Sequence, residues 1–545
     1  MRDWLAHRVA ASPDAEALVS AATGRTWSFE QLDAAADEMV GRLAGLGAEP
    51  GDHLAVVMEP RTEYVTLVHA AMRLGLRLVP VGHRLTAAEL RPRLDTAAAT
   101  MVVCSADTEP AVVGATDGED EAEGSTAGSD RAVPVVSLDE SETDGVVRLR
   151  DATSEPAPGA AWSMDDPLLM LFTSGTTGEP KLVVLTAGNV FASAVASAFR
   201  LGVSPDDRYM AALSFHHTGG LMPLYRAVLS GTSVVLRTEF DAGGVADDVR
   251  EYDVTGISLV PTMLRRMLDA RGTLADSLRC VLLGGAPASA DLVGRCRHYS
   301  VPVHPTYGMT ETASGITVAR PAETTDRPET VGRPLFRTDL TVVDGDGEEL
   351  PPGEVGEFVV DGPTVSPGYY GDPDATASSF EDGALHTGDA GYRDEDGYCY
   401  VLNRLDDRII TGGENVDPGE VVAALREHPA VQDAAVVGLP DEEWGERVAA
   451  AVVSADPDLD ADTVRAFCRK RLADFKRPRT VALVPELRRT DTGTVDRSAV
   501  ADLLADAVGT TDAADGDGDG GDADADEHRD RDGDGDSDER GDTDE

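Results

Sequence analysis

A run of nine residues, Thr173 to Lys181, carries the groups that a phosphate ligand needs. Its sequence is TSGTTGEPK, and it directly follows the apolar run LLMLF, which predicts a buried strand. Hydroxyl groups, two glycines and a lysine at the exit of a strand offer hydrogen-bond donors, room for close backbone approach and one positive charge. The residues expected to contact phosphates are Thr173, Ser174, Gly175, Thr176, Thr177, Gly178 and Lys181.

The spacing of this run disfavours the Walker A type of phosphate loop. In a Walker A loop the second glycine is followed at once by Lys and then by Ser or Thr, whereas Gly178 is followed by Glu179. A P-loop kinase or GTPase is therefore disfavoured. The competing interpretation is an ordinary turn rich in Gly and Thr. The composition speaks against it, because the whole chain has three lysines and Lys181 is one of them.

Five further motifs follow the run in order. They are Phe215-His216, YGMTET at 307–312, HTGD at 386–389, NRLDDR at 403–408 and GGENV at 412–416. With the run at 173–181, they resemble the signatures of the superfamily of acyl-CoA synthetases, peptide-synthetase adenylation domains and luciferases. The resemblance covers residues 1–505. It implies an enzyme that uses ATP, Mg²⁺ and coenzyme A to activate a small carboxylic acid.

The resemblance also implies a role for each matching residue. It implies catalytic roles for Lys181, Glu311, Thr176 and His216, and nucleotide contacts from Tyr307, Thr310, Asp389 and Arg404. Glu311 would hold the Mg²⁺ that bridges the ATP phosphates, because magnesium prefers hard oxygen ligands. Asp389 would accept hydrogen bonds from the ribose hydroxyls, with a further nucleotide contact from Arg404. Tyr307 would stack near the adenine. The alternatives are a surface glutamate, a turn aspartate, a solvated arginine and a core tyrosine.

Two further implications concern the acid and the second half of the reaction. His216 would line the acyl pocket, a place that the adjacent His217 could fill equally well. In the superfamily a small C-terminal domain rotates about a hinge between acyl-adenylate formation and attack by coenzyme A, and the hinge position here is Asp406. Gly412 and Gly413 would then approach the pantetheine arm, because glycine permits close passage. A tight structural turn is the alternative for these glycines.

The sequence departs from the superfamily at one position near the end of the resemblance. The superfamily pattern P-x-T-x-x-G-K ends in a lysine that reaches the adenylation centre, and in RRTDTGTVDR at 488–497 its place is taken by Thr494. Loss of one preorganised donor to a charged transition state costs about 3 to 4 kcal/mol, so slow adenylation is expected. Three explanations stay open: Lys181 and Mg²⁺ carry most of the charge, Arg489 or Lys476 substitutes, or the chain is a degenerate paralogue.

Several stretches are similar to one subgroup, the o-succinylbenzoate-CoA ligases of menaquinone biosynthesis. They are LFTSGTTGEPK, LLGGAPAS at 282–289, TYGMTETASGI at 306–316, VGRPLF at 331–336 and TGGENVDPGEV at 411–421. The short connections between motifs also suit this subgroup better than ligases of long-chain fatty acids. Another aromatic or medium-chain acid remains the alternative substrate.

The elements that must position these motifs alternate between helix and strand patterns. TEYVTLVHAAMRLG followed by LRLVPV is typical of an α/β fold, and the alternation resumes after the phosphate run. Because 545 residues exceed one hydrophobic core, we expect more than one domain. We predict a large α/β domain at 1–404 that binds ATP and the acid, and a small mobile α+β lid domain at 405–505.

Two acidic segments stand apart from this pattern. Residues from about 106 to 158 are rich in Asp, Glu, Gly, Ser and Thr, and they predict a solvated insertion with at most one strand at AVPVVSL. Residues 506–545 predict a disordered acidic tail, because this segment is dominated by Asp and Gly. Neither segment can bury much apolar surface.

The net charge of -52 restricts the partners and the environment of the chain. Such a charge pushes a compact chain apart in dilute buffer, whereas at molar salt the Debye length falls to roughly 3 Å and the repulsion is screened. We interpret the acidity as adaptation to a salt-rich cytoplasm; an acidic surface for a cationic partner is the alternative. Nucleic acid is disfavoured as a ligand, since its phosphates require a basic surface.

Other features of the composition exclude further classes. The five cysteines form no C-x-x-C pair, so neither a zinc site nor a disulfide framework is expected. No stretch of 18 apolar residues occurs, which favours a cytoplasmic protein without membrane insertion. A carrier protein is not expected as the acyl acceptor, because no carrier-domain pattern follows residue 505. The oligomeric state stays open.

Overall fold

The structure, a computed structural model, describes residues 3–117, 133–173, 180–411, 414–416, 418–441, 444–490 and 494–512. For residues 406, 414, 415 and 508–512 it describes the backbone alone. Most of the predicted acidic tail lies outside these ranges. The last helix continues to Asp512, beyond the predicted start of the tail at residue 506.

The helices begin and end at recognisable local signals. In the described ranges they are α1 Trp4–Ala11, α2 Phe29–Gly45, α3 Thr62–Leu74, α4 Ala87–Thr96, α5 Glu109–Thr116, α6 Ala187–Leu201, α7 Thr218–Ser230, α8 Ala242–Glu251, α9 Pro261–Arg271, α10 Ala290–His298, α11 Pro373–Ser379, α12 Pro418–Arg426, α13 Ala461–Cys468 and α14 Arg497–Asp512. Ser28 and Gln31 form a capping box before α2. Gly75, at a φ of 84°, ends α3 in the left-handed region.

The strands are short and mostly apolar. They are β1 Glu16–Ser20, β2 Thr26–Ser28, β3 His53–Val57, β4 Arg77–Val81, β5 Met101–Cys104, β6 Val135–Ser137, β7 Val146–Arg148, β8 Pro167–Phe172, β9 Leu182–Thr186, β10 Arg208–Ala211, β11 Ser233–Leu236, β12 Gly256–Leu259, β13 Cys280–Leu283, β14 Val303–Met309, β15 Ser314–Val318, β16 Arg333–Pro334, β17 Asp339–Val343, β18 Gly356–Asp361, β19 Gly368–Tyr369, β20 Phe380–Glu381, β21 Ala384–Arg393, β22 Cys399–Arg404, β23 Ile409–Thr411, β24 Glu414–Val416, β25 Val431–Asp441, β26 Gly445–Ser454 and β27 Thr480–Val484.

Two large, mainly parallel sheets form the first part of the chain. Among the described residues their strand orders are β16-β15-β14-β13-β12-β10-β11-β1-β2 and β19-β9-β8-β4-β3-β5-β6-β7. All five residues of β3 are buried, as expected for a parallel strand that is covered on both faces. The largest apolar cluster contains residues of both sheets and of helices α2, α3, α6 and α7. These helices therefore join the two sheets into one core.

A third, antiparallel sheet closes the large domain and carries part of the site. Its order is β17-β18-β21-β20, with β22 paired to β21. Phe358, Val360 and Leu385 are buried beneath it with Cys399. Strand β22 ends at Arg404, so the last residue of this sheet is also the last residue of the predicted large domain.

A smaller unit follows Arg404, and it has its own sheet and core. The sheet order is β24-β23-β26-β25, with β27 parallel to β26. Helices α12 and α13 contribute Val421, Leu425 and Val464 to an apolar cluster that includes Ile409 and residues of β25 and β26. The predicted fold class, a large α/β domain followed by a small α+β domain, is confirmed. The boundary at 404–405 and the mobility of the small domain stay predictions.

The predicted insertion at 106–158 differs from the structure. The strand predicted at AVPVVSL is present as β6, but the expectation of no further element is wrong, because α5 and β7 also lie within the segment. Val112, Val136 and Leu149 are buried, so scattered apolar residues anchor the segment although its overall composition is polar. Residues 118–132, which include most of its acidic run, lie outside the described ranges.

Candidate active site

The two ends of the predicted phosphate run meet between strands β8 and β9. These strands are antiparallel, with Phe172 opposite Leu182. The backbone N–H of Thr173 donates to the carbonyl oxygen of Lys181 at 2.9 Å. The run therefore starts and ends at one point of the sheet. The predicted phosphate contacts Ser174, Gly175, Thr176, Thr177 and Gly178 lie outside the described residues.

Lys181 and Glu311 both contact one tyrosine that the motifs did not single out, Tyr369. The ammonium nitrogen of Lys181 lies 4.8 Å from the centroid of the Tyr369 ring. The hydroxyl of Tyr369 donates to Oε1 of Glu311 at 3.0 Å. Burial and the Glu311 charge raise the pKa of Tyr369, so its hydroxyl is protonated at neutral pH and acts as a donor.

Glu311 is a buried carboxyl group, with 7% of its surface exposed. It lies in the 3-10 turn Thr310–Thr312 that directly follows β14. Burial raises its pKa, while the Tyr369 hydroxyl and the charges of Arg404 and Lys181 act in the opposite direction. A nearby cation would favour the ionised form.

These features fit a magnesium ion that is bound together with a nucleotide. Within the described part of the chain, no group of three or more His, Cys, Asp or Glu side chains could hold a metal ion. Magnesium sites that use one protein carboxylate complete their coordination with substrate phosphates and water. Glu311 can supply the carboxylate. The phosphate run begins at Thr173, which is bonded to Lys181, and Lys181 contacts the same tyrosine as Glu311.

Tyr307, Asp389 and Arg404 come together in a second cluster. The hydroxyl of Tyr307 donates to Oδ2 of Asp389 at 2.6 Å. Arg404 lies opposite Asp389 in the β21-β22 pair, and its Nε is 3.3 Å from Oδ1 of Asp389. Burial raises the pKa of Asp389, against the charge of Arg404. A buried carboxylate that is flanked by donors is suited to bind a diol.

The part of β21 that precedes Asp389 is held by Glu357. The backbone N–H of Gly388 donates to Oε1 of Glu357 at 2.9 Å, and Nδ1 of His386 lies 3.0 Å from Oε2 of the same carboxylate. Gly388 has a φ of 68°, in the region that glycine adopts without strain. The HTGD motif therefore positions its aspartate through both its glycine and its histidine.

His216 lies in a group of histidines at the start of α7. Its ring centroid is 4.1 Å from that of His217 and 6.0 Å from that of His83. Burial lowers the pKa of His216 to about 2, and the charges of His217, His83 and Arg84 add to this shift. The imidazole is therefore neutral at working pH, and its contribution to an acyl pocket would be its shape and its hydrogen bonding.

The lowered pKa of His216 predicts a pH-dependent stability. Below about pH 6.5 the unfolded chain binds a proton that the folded chain excludes, so the fold loses stability as pH falls. We expect His216→Phe to reduce the fall in stability between pH 7 and pH 5 by about 2 kcal/mol. Thermal unfolding of both proteins at several pH values and constant high salt measures this difference in stability. The exposed His298, changed to Asn, is the control, and an equal pH dependence in wild type and His216→Phe would contradict the expectation.

A cavity between α6, α7 and strands β13 to β15 contains a second residue that the motifs did not single out. Arg226, with 6% of its surface exposed, lines this cavity together with Ser197, Thr306 and Ser314. Its guanidinium lies 4.3 Å from the ring centroid of Tyr209, and its Nη1 donates a long hydrogen bond of 3.4 Å to Ser197. Its Nη2 is buried without a hydrogen-bond partner among the described residues.

The expected hinge and coenzyme A residues are only partly described. The side chain of Asp406, and all of Gly412 and Gly413, lie outside the described part of the structure. Thr494 is described: its carbonyl oxygen accepts a hydrogen bond of 2.8 Å from the Thr490 backbone, and their hydroxyl oxygens lie 2.6 Å apart. Thr494 is therefore held against Thr490 within the predicted small domain.

The two cations proposed to replace the missing lysine are paired within the small domain. Arg489 lies 2.6 Å from a carboxylate oxygen of Asp433, and Lys476 lies 2.6 Å from one of Glu420. Each would have to give up its ion pair to reach a nucleotide. The arrangement thus weakens the explanation that either residue takes over from the lysine.

Comparisons with known proteins agree with this geometry. The family model described as AMP-binding enzyme matches residues 5–370, and that of the AMP-binding enzyme C-terminal domain matches residues 420–494. The 2-succinylbenzoate--CoA ligase of Geobacillus kaustophilus is 39% identical over 494 residues, covering 90% of this chain and 95% of that protein. Of the solved structures, o-succinylbenzoate CoA synthetase from Bacillus subtilis in complex with ATP and magnesium ion has a TM-score of 0.80 at 33% identity, covering 93% of this chain and 99% of that chain. The same enzyme with the acyl-adenylate intermediate OSB-AMP also gives 0.80 at 33% identity, covering 92% and 98%.

Proposed function

The chain belongs to the AMP-binding enzyme family, and from this premise we propose that it is an ATP-dependent, AMP-forming ligase that joins 2-succinylbenzoate to coenzyme A in menaquinone biosynthesis. In the first step a carboxylate oxygen of the acid attacks the α-phosphorus of ATP, and pyrophosphate leaves. In the second step the thiolate of coenzyme A attacks the acyl carbonyl, and AMP leaves. The acid, ATP, Mg²⁺ and coenzyme A are all required.

The residues around Tyr369 would bind the triphosphate. The ammonium of Lys181 would neutralise phosphate charge, and Glu311 would hold Mg²⁺, which supplies further charge neutralisation when bound. Catalysis of adenylyl transfer depends mainly on positioning of the reactants and stabilisation of charge by the protein. The phosphate run from Thr173, including Thr176, would add backbone and hydroxyl donors, and Thr310 would add a contact from the turn that holds Glu311.

Tyr307, Asp389 and Arg404 would bind the nucleoside. The buried carboxylate of Asp389 would accept hydrogen bonds from the ribose hydroxyls, and Arg404 would stay beside it to stabilise its charge. The Tyr307 hydroxyl is already bonded to Asp389 at 2.6 Å, which fixes the direction of its ring. A fixed ring can stack with adenine at little cost in conformational entropy.

The observation that carries the choice of acid is Arg226. Its described partners are the ring of Tyr209 and the hydroxyl of Ser197, and neither is an anion. A buried guanidinium without a carboxylate is costly unless a ligand supplies the negative charge. 2-Succinylbenzoate has two carboxylates, of which only one is adenylated. Arg226 would bind the other, at the wall of the cavity beside α6 and α7.

This assignment predicts a selective loss in a variant of Arg226. Arg226→Leu should lower kcat/KM for 2-succinylbenzoate by about 30-fold, since a hydrogen bond to a charged group contributes about 2 kcal/mol. CoA-ester formation measures it, with ATP and coenzyme A saturating. A benzoate that lacks the second carboxylate should react equally with both proteins. Equal losses for both acids, or no loss with 2-succinylbenzoate, would contradict the assignment.

Thr494 supports a second candidate, a degenerate paralogue that binds nucleotide without catalysis. The superfamily's lysine is absent at this position, whereas Lys181, Glu311, Asp389 and Arg404 are all present. Release of AMP and pyrophosphate separates the candidates, because the paralogue would bind ATP and release neither with any acid. The presence of the complete nucleotide set favours the enzyme.

The second step would involve the small domain. We propose that residues 405–505 rotate about Asp406 after adenylate formation and bring Gly412 and Gly413 towards the pantetheine arm of coenzyme A. Support comes from the separate sheet and core of this unit, which let it move as one body. The movement can be followed by the rate of proteolysis near residue 406, or by energy transfer between fluorophores placed on either side of it, with and without coenzyme A.

The environment proposed for the enzyme is a salt-rich cytoplasm. The net charge of -52 supports it, since molar salt screens repulsion that would destabilise the chain in dilute buffer. Within the described ranges, no helix has the length and apolar character needed to span a membrane. Unfolding in low and multimolar KCl tests the proposal, and equal stability in both would contradict it.

A further inference from the structure

Tyr369 joins the two charged groups that the proposed function assigns to the triphosphate and its metal. Its hydroxyl donates to Oε1 of Glu311 at 3.0 Å, and its ring centroid lies 4.8 Å from Nζ of Lys181. One aromatic side chain thus contacts the carboxylate through its hydroxyl and the ammonium through its ring. Its position follows from the pairing of β19 with β9, which places Tyr369 opposite Val183, two residues after Lys181.

The backbone around Tyr369 is fixed independently of any ligand. The N–H of Tyr369 donates to Oγ1 of Thr376 at 3.0 Å, and Phe380 packs against its ring at a centroid distance of 5.6 Å. Gly368 has a φ of 135°, and a Cβ there would lie 2.4 Å from Cγ2 of Thr376. The backbone position from which the Tyr369 side chain projects is therefore fixed.

The residues just before Tyr369 also hold the backbone of Glu311. The N–H of Ser366 donates to the carbonyl oxygen of Glu311 at 2.8 Å, and the Ser366 hydroxyl donates to the carbonyl oxygen of Val184 at 2.7 Å. Segment 366–369 therefore connects the Glu311 turn to strand β9, which starts directly after Lys181. Glu311 is thus held by hydrogen bonds at both its backbone carbonyl and its Oε1. The direction of its carboxylate is therefore set before a metal binds.

We propose that Tyr369 is a positioning residue for the nucleotide and its metal: its hydroxyl sets the direction of the Glu311 carboxylate, and its ring seats the Lys181 ammonium. The proposal rests on the proposed function only as far as ATP and a divalent cation bind at this site. Both groups contact the same side chain, and without it their opposite charges would draw them together. An ammonium held on the ring face stays available to phosphate, and a carboxylate held by the hydroxyl stays available to metal.

The two contacts of Tyr369 can be separated by two variants. Tyr369→Phe keeps the ring and removes the hydroxyl, so we expect about a tenfold weaker binding of Mn²⁺ in the presence of a non-hydrolysable ATP analogue. Binding of the analogue without metal should change less than twofold. Tyr369→Leu also removes the ring, and should weaken metal-free binding about threefold as well, since the cation–π contact is lost.

Electron paramagnetic resonance of free Mn²⁺ and calorimetry of the metal-free analogue give these readouts without turnover. Tyr370→Phe is the matched control, because this neighbouring ring packs on His53 at 5.1 Å and should leave both affinities unchanged. The proposal is overturned if Tyr369→Phe binds Mn²⁺ like wild type, or if Phe and Leu weaken both affinities equally. No acid is present, so an incorrect substrate assignment leaves the result intact.

Discussion

Glu311→Gln should lower the rate of acid-dependent ATP–pyrophosphate exchange by about 10³-fold. The substitution keeps the size of the side chain and the hydrogen bond from Tyr369, but it removes the charge that would hold Mg²⁺ against the phosphates. Loss of one charge-stabilising group at such a centre lowers the rate by about 10²- to 10³-fold. Because Glu311→Gln would also weaken binding of the metal, we expect a loss at the upper end of this range. Exchange of labelled pyrophosphate into ATP, with 2-succinylbenzoate as the acid, measures the effect.

The chain offers a closely matched control for this variant. Glu109 is also 7% exposed, and its carboxylate accepts hydrogen bonds from Ser141 and Thr143, far along the chain from the site motifs. Glu109→Gln should leave the exchange rate within twofold of wild type. If the two variants lose activity equally, the loss at Glu311 reflects a buried charge in general, and its role as metal ligand is wrong.

Thr494→Lys should accelerate the same exchange reaction, by about 10²-fold. It restores a cation at the position where the superfamily has one, and a preorganised donor to the adenylation transition state contributes about 3 to 4 kcal/mol. The full gain requires residue 494 to keep its position, and the Thr490 N–H donates to the backbone carbonyl of residue 494, which the substitution leaves in place. The second step should change little, because in the proposed mechanism the small domain would have a different orientation during that step.

Thr490→Lys provides the comparison for this gain. Its hydroxyl lies 2.6 Å from that of Thr494, so the same charge is added at a directly neighbouring position. Only Thr494→Lys should accelerate exchange. No change in either variant would mean that Lys181 and the metal already suffice, or that Arg489 or Lys476 leaves its ion pair to act.

The sequence places the residues proposed to bind the nucleotide in short contiguous motifs, and the structure brings those residues together. YGMTET places Tyr307 and Glu311 at the end of one strand, and HTGD with NRLDDR places Asp389 opposite Arg404 in one strand pair. Strand pairing converts these local signals into a single cluster. The alternation of helix and strand patterns likewise predicts the α/β class and the smaller second unit.

The acid side and the positioning contacts could not be predicted in this way. Tyr369 acquires its role from a hydrogen bond to Glu311, 58 residues away in the chain, and nothing in its neighbours indicates that pairing. Arg226 did leave a signal, a single arginine within the apolar helix segment LMPLYRAVL, but a snorkelling arginine gives the same pattern. Within 106–158 the sequence indicated strand β6, but α5 and β7 were missed because a few buried valines count for little in an acidic composition.

Formation of AMP tests the central claim most directly. The purified chain, in multimolar KCl with ATP, Mg²⁺, coenzyme A and 2-succinylbenzoate, should produce AMP, pyrophosphate and the CoA ester in equal amounts. Straight-chain acids should give far less. A preference for those acids would overturn the substrate and leave the reaction class intact. Binding of ATP without release of AMP, with every acid offered, would contradict the ligase assignment itself.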